Sequence, residues 1–371
     1  MINADVAIVG GGPAGAVTAL HLLAAGLRPV IVEKETFPRY HIGESLTGEC
    51  GACLRELGLE DQMAAIGWPI KYGVTVYGAG AQNSFWVPVK KRNAQHELEA
   101  TSTWQVRRSD FDKMLLDTAI ARGAQHLHAK ALSPIVEETG KVSGLVYEAD
   151  DGSTESLQCK VLVDASGQAG FLANRSTLTS GKERGRYDSQ IAVFTQVRNA
   201  KRDSGDAAGN TLIFVGKPYQ WAWFIPLDEH TTSVGVVVPR EYFRARSGSP
   251  EDFLREEFKG LNPELARRLA DAEIVEEVRS LTNYSYQVRN FTGDGFLCVG
   301  DAHRFITPFS PSAFISQSRK PGLLQARSFR LCRKMKLPRP MHFHPTRDSW
   351  NADRMPFRIF STASGRSRWY S

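Results

Sequence analysis

The stretch that most constrains this chain is its beginning. Residues 5–9 (DVAIV) are a short apolar run, residues 10–15 read Gly-Gly-Gly-Pro-Ala-Gly, residues 16–25 are small and suited to a helix, and residues 29–33 (PVIVE) are a second apolar run ending in an acid. This order predicts strand, tight turn, helix and strand. Gly10, Gly12 and Gly15 fill a Gly-x-Gly-x-x-Gly spacing, and Glu33 follows the last of them by 18 residues. Gly10 permits the tight turn, Gly12 lets backbone approach a pyrophosphate, and Gly15 lets the helix pack closely on the strand. A phosphate placed there meets free N–H groups and the positive end of a helix dipole. Glu33 can accept hydrogen bonds from a ribose diol. The glycines alone are a weak signal, and a plain structural turn competes with it. With both strands, the helix and the acid in place, the expectation is dinucleotide binding by Gly10, Gly12, Pro13, Ala14, Gly15, Glu33 and Lys34.

At 371 residues the chain has room for two domains and a sizeable core. No basic leader precedes the first apolar run, and no run is long enough to cross a bilayer, so neither a secretory signal nor an integral membrane segment is expected. Five cysteines do not suggest a disulfide framework, and a cytoplasmic setting is expected. Cys50 and Cys53 form one Cys-x-x-Cys, but no second pair completes a zinc site. Two small helix residues are the simpler account, and no metal is expected. The net charge of +6 invites a nucleic-acid partner, but its distribution argues against one. Residues 307–371 hold thirteen Lys and Arg against two acids, which leaves 33 basic and 38 acidic side chains in the first 306 residues. The basicity belongs to the tail.

Residues 37–46 are polar and glycine-bearing, a loop leading into helical spacing over 47–66. Residues 72–77 and 84–89 alternate as strands, and 103–108 read as another short strand. Ser109 is the expected cap of a helix through Ala121, with Asp110 and Asp112 in its first turn. Residues 144–148 and 156–163 bracket Asp150-Asp151-Gly152 as a hairpin. Four strands follow (190–197, 211–215, 221–226 and 232–238), then a helix capped by Ser249 with Pro250 first. Residues 295–299 form the last strand, ahead of Gly300-Asp301-Ala302-His303.

Together these motifs resemble a known family. Gly10–Gly15 with Glu33, the turn Asp164-Ala165-Ser166-Gly167, and Gly300-Asp301 with Pro308 resemble the three flavin fingerprints of single-domain flavoprotein monooxygenases. Three further stretches are similar to flavin-dependent halogenases: the loop Phe37 to Leu46, the run Trp221-Ala222-Trp223-Phe224-Ile225-Pro226, and Lys71 at a strand start. The loop also occurs in related hydroxylases and geranylgeranyl-reductase-like proteins. The resemblance implies an α/β fold in which a Rossmann-like FAD-binding domain carries an inserted, mainly antiparallel β-sheet substrate domain. It assigns residues 1–70, 101–175 and 286–310 to the first and 71–100 and 176–285 to the second.

The implied activity is FAD-dependent halogenation of a small electron-rich aromatic, free or carrier-bound. Reduced flavin, supplied by a separate reductase, would work with oxygen and halide ion to give hypohalous acid. Lys71 would hold or activate that oxidant, because an ammonium donates hydrogen bonds and a desolvated lysine of lowered pKa can be halogenated. Trp221 and Trp223 would keep substrate off the flavin; alternating on a strand, they could equally be core aromatics. Asp164, Gly167, Gly300, Asp301 and Pro308 would contact FAD, as would Arg39 and either Arg107 or Arg108. His41 and His303 are expected only to shape loops. The alternatives are an FAD monooxygenase or reductase that uses no halide, or an inactive product.

The last alternative comes from the chain after Ile306. There the family continues with Asp-Pro, apolar residues, a small turn and a long apolar helix; this chain turns to Arg, Ser and Pro without period. With one base restored before Thr307, codons compatible with the next fifteen residues can be read as Asp-Pro-Ile-Phe-Ser-Phe-Gly-Val-His-Phe-Ala-Val-Lys-Glu-Ala, which suits the family. Residues from about 307 are thus expected to be frameshifted, and 311–371 to be a disordered basic tail. The alternative is a genuine basic tail that binds RNA or an acidic surface, although it lacks the aromatic and glycine regularity of known binding segments.

Overall fold

The computed structural model describes residues 2–305 apart from 176, 185–188 and 283–284. Strand β1 (Ile2–Val9), helix α1 (Pro13–Ala24) and strand β2 (Pro29–Glu33) follow in the expected order. All five residues of β2 are buried, as a parallel strand covered on both faces requires. The helical spacing of 47–66 resolves into two helices, α2 (Gly48–Glu56) and α3 (Glu60–Ile66). Gly58, at φ +66°, turns the chain out of the first. Strand β3 (Ile70–Lys71) comes next, then β4 (Gly73–Tyr77) and β5 (Ser84–Pro88), which pair antiparallel, then β6 (Thr103–Trp104).

The strand expected over 103–108 stops at Trp104, because the Gln105 N–H donates to the Pro69 carbonyl and the Val106 N–H to the Glu44 carbonyl instead, with Gln105 standing opposite Ser45 of the loop. Helix α4 (Arg108–Ala121) begins before the expected cap. Arg107 takes the cap position without a side-chain bond, and Ser109 lies inside the helix with its hydroxyl on Asp110. Arg108 is already helical because Asp112, one turn on, holds its guanidinium at 2.7 and 3.0 Å. Strands β7 (Gln125–Val136), β8 (Val142–Ala149) and β9 (Thr154–Asp164) form a meander whose second turn is the expected hairpin, Glu148 facing Thr154.

Strands β10 (Gln190–Arg198), β11 (Thr211–Val215), β12 (Trp221–Pro226) and β13 (Thr232–Pro239) build a second sheet in the order β10-β13-β12-β11. It continues through β4, parallel to β11, to β5. Helices α5 (Pro250–Gly260) and α6 (Pro263–Arg268) cover one face. Ser249 caps α5 through a capping box with Asp252. Residues of β12 alternate between two cores: Ala222 and Phe224 face those helices, while Trp221, Trp223 and Ile225 meet Tyr40 and Ile42 of the loop.

Strand β14 (Phe296–Cys298) returns to the first sheet beside β9. There β2, β1, β9 and β14 lie side by side and parallel. Helices α1 to α4 pack on one face of this sheet, and β8 with its neighbours packs on the other. Among the described residues no helix is long and apolar enough to cross a membrane. Pro308 and the tail 311–371 lie outside the described residues.

Candidate cofactor and halogenation site

Parallel register brings three distant turns to one edge of the first sheet. Val9 lies beside Val32 and Asp164, and Asp164 lies beside Cys298. The glycine turn after β1, the turn at Asp164–Gly167 and the turn at Gly300–Asp301 therefore follow three adjacent strands. Gly10 has φ +106°, and a Cβ there would stand 2.5 Å from the Ala165 carbonyl oxygen. A Cβ on Gly15 would stand 1.9 Å from the Gly10 carbonyl oxygen. Both positions exclude a side chain. Gly12 caps α1 ahead of Pro13, and no side chain fills the cap, so N–H groups of the first turn stay available to an anion.

Glu33, 7% exposed, is oriented by backbone: Gly11 N–H donates to Oε2 at 2.7 Å and Glu35 N–H donates to Oε1 at 2.8 Å. Each oxygen keeps a lone pair for a ribose hydroxyl. Lys34 instead pairs with Glu35 at an exposed position. Arg39 reaches to 3.3 Å from where a Gly12 Cβ would be, which sets its charge over the turn. Arg39 and Arg108 share the fully buried Asp112. Arg107 points elsewhere, donating to Gln196 at 2.8 Å and to Asp228. The side chain of Asp164 is committed to its own turn, where the N–H groups of Ser166 and Leu172 donate to it at 3.0 and 2.6 Å. Gly167 has open space beside it. Burial raises the Asp301 carboxyl to about 6, with Arg108 opposing. An open helix terminus, a fixed acid at the end of β2 and a guanidinium over the glycines are the donor set that a pyrophosphate and ribose need, so the residues present fit FAD.

The second part of the site lies where the loop meets the second sheet. Lys71 pairs with Thr103 across β3 and β6 and is 7% exposed. Its Nζ donates to Ser45 Oγ at 2.8 Å and to the Leu46 carbonyl at 3.1 Å. Burial lowers its pKa to about 8. Trp221 and Trp223 share one face, ring centres 6.0 Å apart, and Trp223 Nε1 donates to Ser233 Oγ at 3.2 Å. A Cβ on Gly235 would meet the Trp223 ring at 2.2 Å, so the indole occupies space that a side chain at 235 would need. A cavity of about 310 Å³ opens beside the loop, lined by Tyr40, His41, Arg107, Gln196 and Arg279 among others.

Two further residues of the loop Phe37 to Leu46 belong here. Glu44 is 1% exposed, and burial raises it to about 7. Gln196 Nε2 donates to its Oε1 at 3.3 Å, while Oε2 is buried without a well-formed hydrogen bond among the described residues. Ser45 is the side-chain partner of Lys71. The signal available in the sequence was an acid and a hydroxyl held together in a glycine-bearing loop beside an arginine. His41 and His303 keep local company: His41 Nδ1 contacts the Ile42 carbonyl and His303 stacks on Phe291. Cys50 is exposed and Cys53 buried on α2, with Cys53 Sγ 3.5 Å from His21 Nε2.

The profile of the FAD binding domain family matches residues 3–311. The 1H-pyrrole-2-carbonyl-[peptidyl-carrier protein] brominase of Pseudoalteromonas luteoviolacea (strain 2ta16) is 38% identical over 322 residues, 87% of this chain and 76% of that protein. The flavin-dependent halogenase armH4 of Armillaria mellea is 30% identical over 334 residues, 84% of this chain but only 62% of that longer protein. Among solved structures, the flavin-dependent brominase Bmp2 superposes with a TM-score of 0.76 at 38% identity, over 82% of this chain and 73% of its own.

Proposed function

The chain belongs to the flavin-dependent halogenase family of FAD-binding proteins, and we propose that its substrate is an electron-rich aromatic of pyrrole type presented on a carrier protein. The named substrate of the brominase relative supports the carrier-bound form. When bound and reduced, FAD would supply the electrons that let oxygen convert halide to hypohalous acid, with a separate reductase delivering the reduced cofactor. Gly10, Gly12 and Gly15 with α1 would hold its pyrophosphate, Glu33 its ribose, and Arg39 its phosphate charge. Gly300 and Asp301 stand on the adjacent turn, where the ribityl chain would run.

The observation that carries the reading is Lys71. A buried ammonium with two of its three N–H groups already committed has one left, which can donate to the oxygen of hypohalous acid and draw electrons from the O–X bond. The ring carbon then takes X⁺, the oxygen leaves as water with the ring proton, and lysine returns unchanged. Trp221 and Trp223, wedged between loop and sheet, would keep the substrate ring from the flavin side. The test is Lys71→Met in protein loaded with FAD, given a flavin reductase, halide and pyrrole-loaded carrier. Halogenated product should fall at least 100-fold with flavin oxidation intact, in line with about 10²- to 10³-fold for removal of one transition-state donor. An unchanged product would end the assignment of Lys71.

A further inference from the structure

Lys71 is held from outside its own strand. Both partners of its nitrogen, Ser45 Oγ and the Leu46 carbonyl, come from the loop. Ser45 Oγ also shares a 2.7 Å hydrogen bond with Thr211 Oγ1 at the start of β11. Gln105 Nε2 then donates to Thr211 Oγ1 and to the Gly209 carbonyl, both at 2.9 Å. A carbonyl can only accept, so the amide orientation is settled and Thr211 is anchored as an acceptor. Gln105 is fully buried and Thr211 is 5% exposed, so water does not compete for these bonds. Among the described residues, Ser45 is the side chain that ties Lys71 to the second sheet through this network.

We infer that Ser45 is a positioning residue for Lys71, fixing the direction of its nitrogen and holding it as an ammonium; this rests on the catalytic reading of Lys71 above. The physical argument is a balance. Burial removes water and favours the neutral amine, while acceptors aimed at the nitrogen favour the charged one. Two acceptors, at 2.8 and 3.1 Å, stand where water would otherwise solvate the ammonium, against a burial that lowers Lys71 to about 8. Titratable and charged groups on the neighbouring elements include Tyr72 next in the chain, Glu44 on the loop, Glu49, Cys50, Cys53, Arg55 and Glu56 on α2, which packs on β6, and the exposed Asp206 on the turn that contacts β3. Glu44 is engaged by Gln196, Glu49 by the Arg92 N–H, and Arg55 by Glu60 and Ser102. Of these neighbours, Cys50 opposes the effect of burial and favours the ammonium.

The experiment is an NMR titration of full-length protein with ¹³C-labelled lysine, the Lys71 signal being assigned by its loss in Lys71→Met. Wild type should titrate near 8. Ser45→Ala, lacking one acceptor for the ammonium, should titrate about one unit lower. Ser45→Thr, which keeps the hydroxyl, should return to within a few tenths of wild type. A Ser45→Ala signal that stays put or moves up overturns the inference, as does early melting with no separate change at Lys71. In the halogenation assay Ser45→Ala should lose about 10- to 100-fold of product while keeping FAD, from misplacement of the nitrogen. If Lys71→Met still halogenates but the Ser45 shift is found, the functional reading falls and the placement of Lys71 by Ser45 stands.

Discussion

Gly15→Ala offers the sharpest test of how the cofactor cradle is built. The new Cβ would stand 1.9 Å from the Gly10 carbonyl oxygen, 3.0 Å from its carbon and 3.3 Å from Ile8 Cγ2. Ordinary contact begins near 3.4 Å, so α1 must back away from β1 by more than an ångström. The two nearest atoms are backbone of the Gly10 turn, which is itself bonded to the Val32 carbonyl, so no flexible side chain gives way at the closest contact. Overpacking of this kind costs about 1–3 kcal/mol. The same movement carries the N-terminus of α1 and the Gly12 turn off the phosphate, so cofactor binding should weaken by roughly the same free energy, about 5- to 150-fold. Thermal melting of the FAD-free protein reads the first number and fluorescence titration with FAD reads the second. Gly260→Ala is the control: it lies in the last turn of α5, nothing stands within 4 Å of its Cβ, and helix propensity alone predicts a gain of about 0.5–1 kcal/mol. A Gly15→Ala protein that melts and binds FAD like wild type would refute the argument that close helix–strand approach positions the phosphate.

Three further outcomes are expected. Gly235→Ala places a Cβ 2.2 Å from the Trp223 ring and 2.6 Å from Phe194 Cβ, so the indole must move; product yield should drop while FAD content stays within twofold, as measured by product chromatography and flavin absorbance. Glu44→Gln should stabilise the protein in a pH-dependent way. Burial raises this carboxyl from 4.5 to about 7, so the folded state binds the proton more tightly than the unfolded chain and wild-type stability declines as pH rises between those values. The full penalty, on the order of 3 kcal/mol, is present above pH 7 and absent below about 4.5, so the gain in melting temperature should be larger at pH 8 than at pH 5; equal gains at both would show that Glu44 is not held as a buried acid. Resequencing of the coding DNA at the Ile306–Thr307 junction should reveal one extra or missing base. If the DNA stands as translated, FAD should be lost on gel filtration, and flavin that co-elutes at full occupancy would count against a defective C-terminus.

Four strands of the second sheet were readable because they are covered on both faces and appear as largely apolar runs (190–197, 211–215, 221–226 and 232–238). Strand β7 escaped notice for the opposite reason: Gln125–Val136 is only partly buried along most of its length and mixes His, Lys and Ser among its apolar residues. Ser109 misled as a cap because a local side-chain preference of about 1 kcal/mol was outweighed by the Arg108–Asp112 pair and the loop contacts that begin α4 earlier.

The sequence by itself determined the glycine turn, its strand and helix, the acid at the end of β2 and the alternation that puts Trp221 and Trp223 on one face. Those features depend on residues within a few turns of one another, where steric exclusion and the strand period act directly. Tertiary structure alone decided which arginine goes where: Arg39 over the cradle, Arg108 shared on Asp112, Arg107 carried off to Gln196 and Asp228. It also decided that Lys71 is buried and that Ser45, Thr211 and Gln105, up to 166 residues apart, form its support. Hydrogen bonds between residues so far apart have no local pattern to betray them. They exist because two sheets and one loop exclude water at the same place, and that is a property of the packed chain.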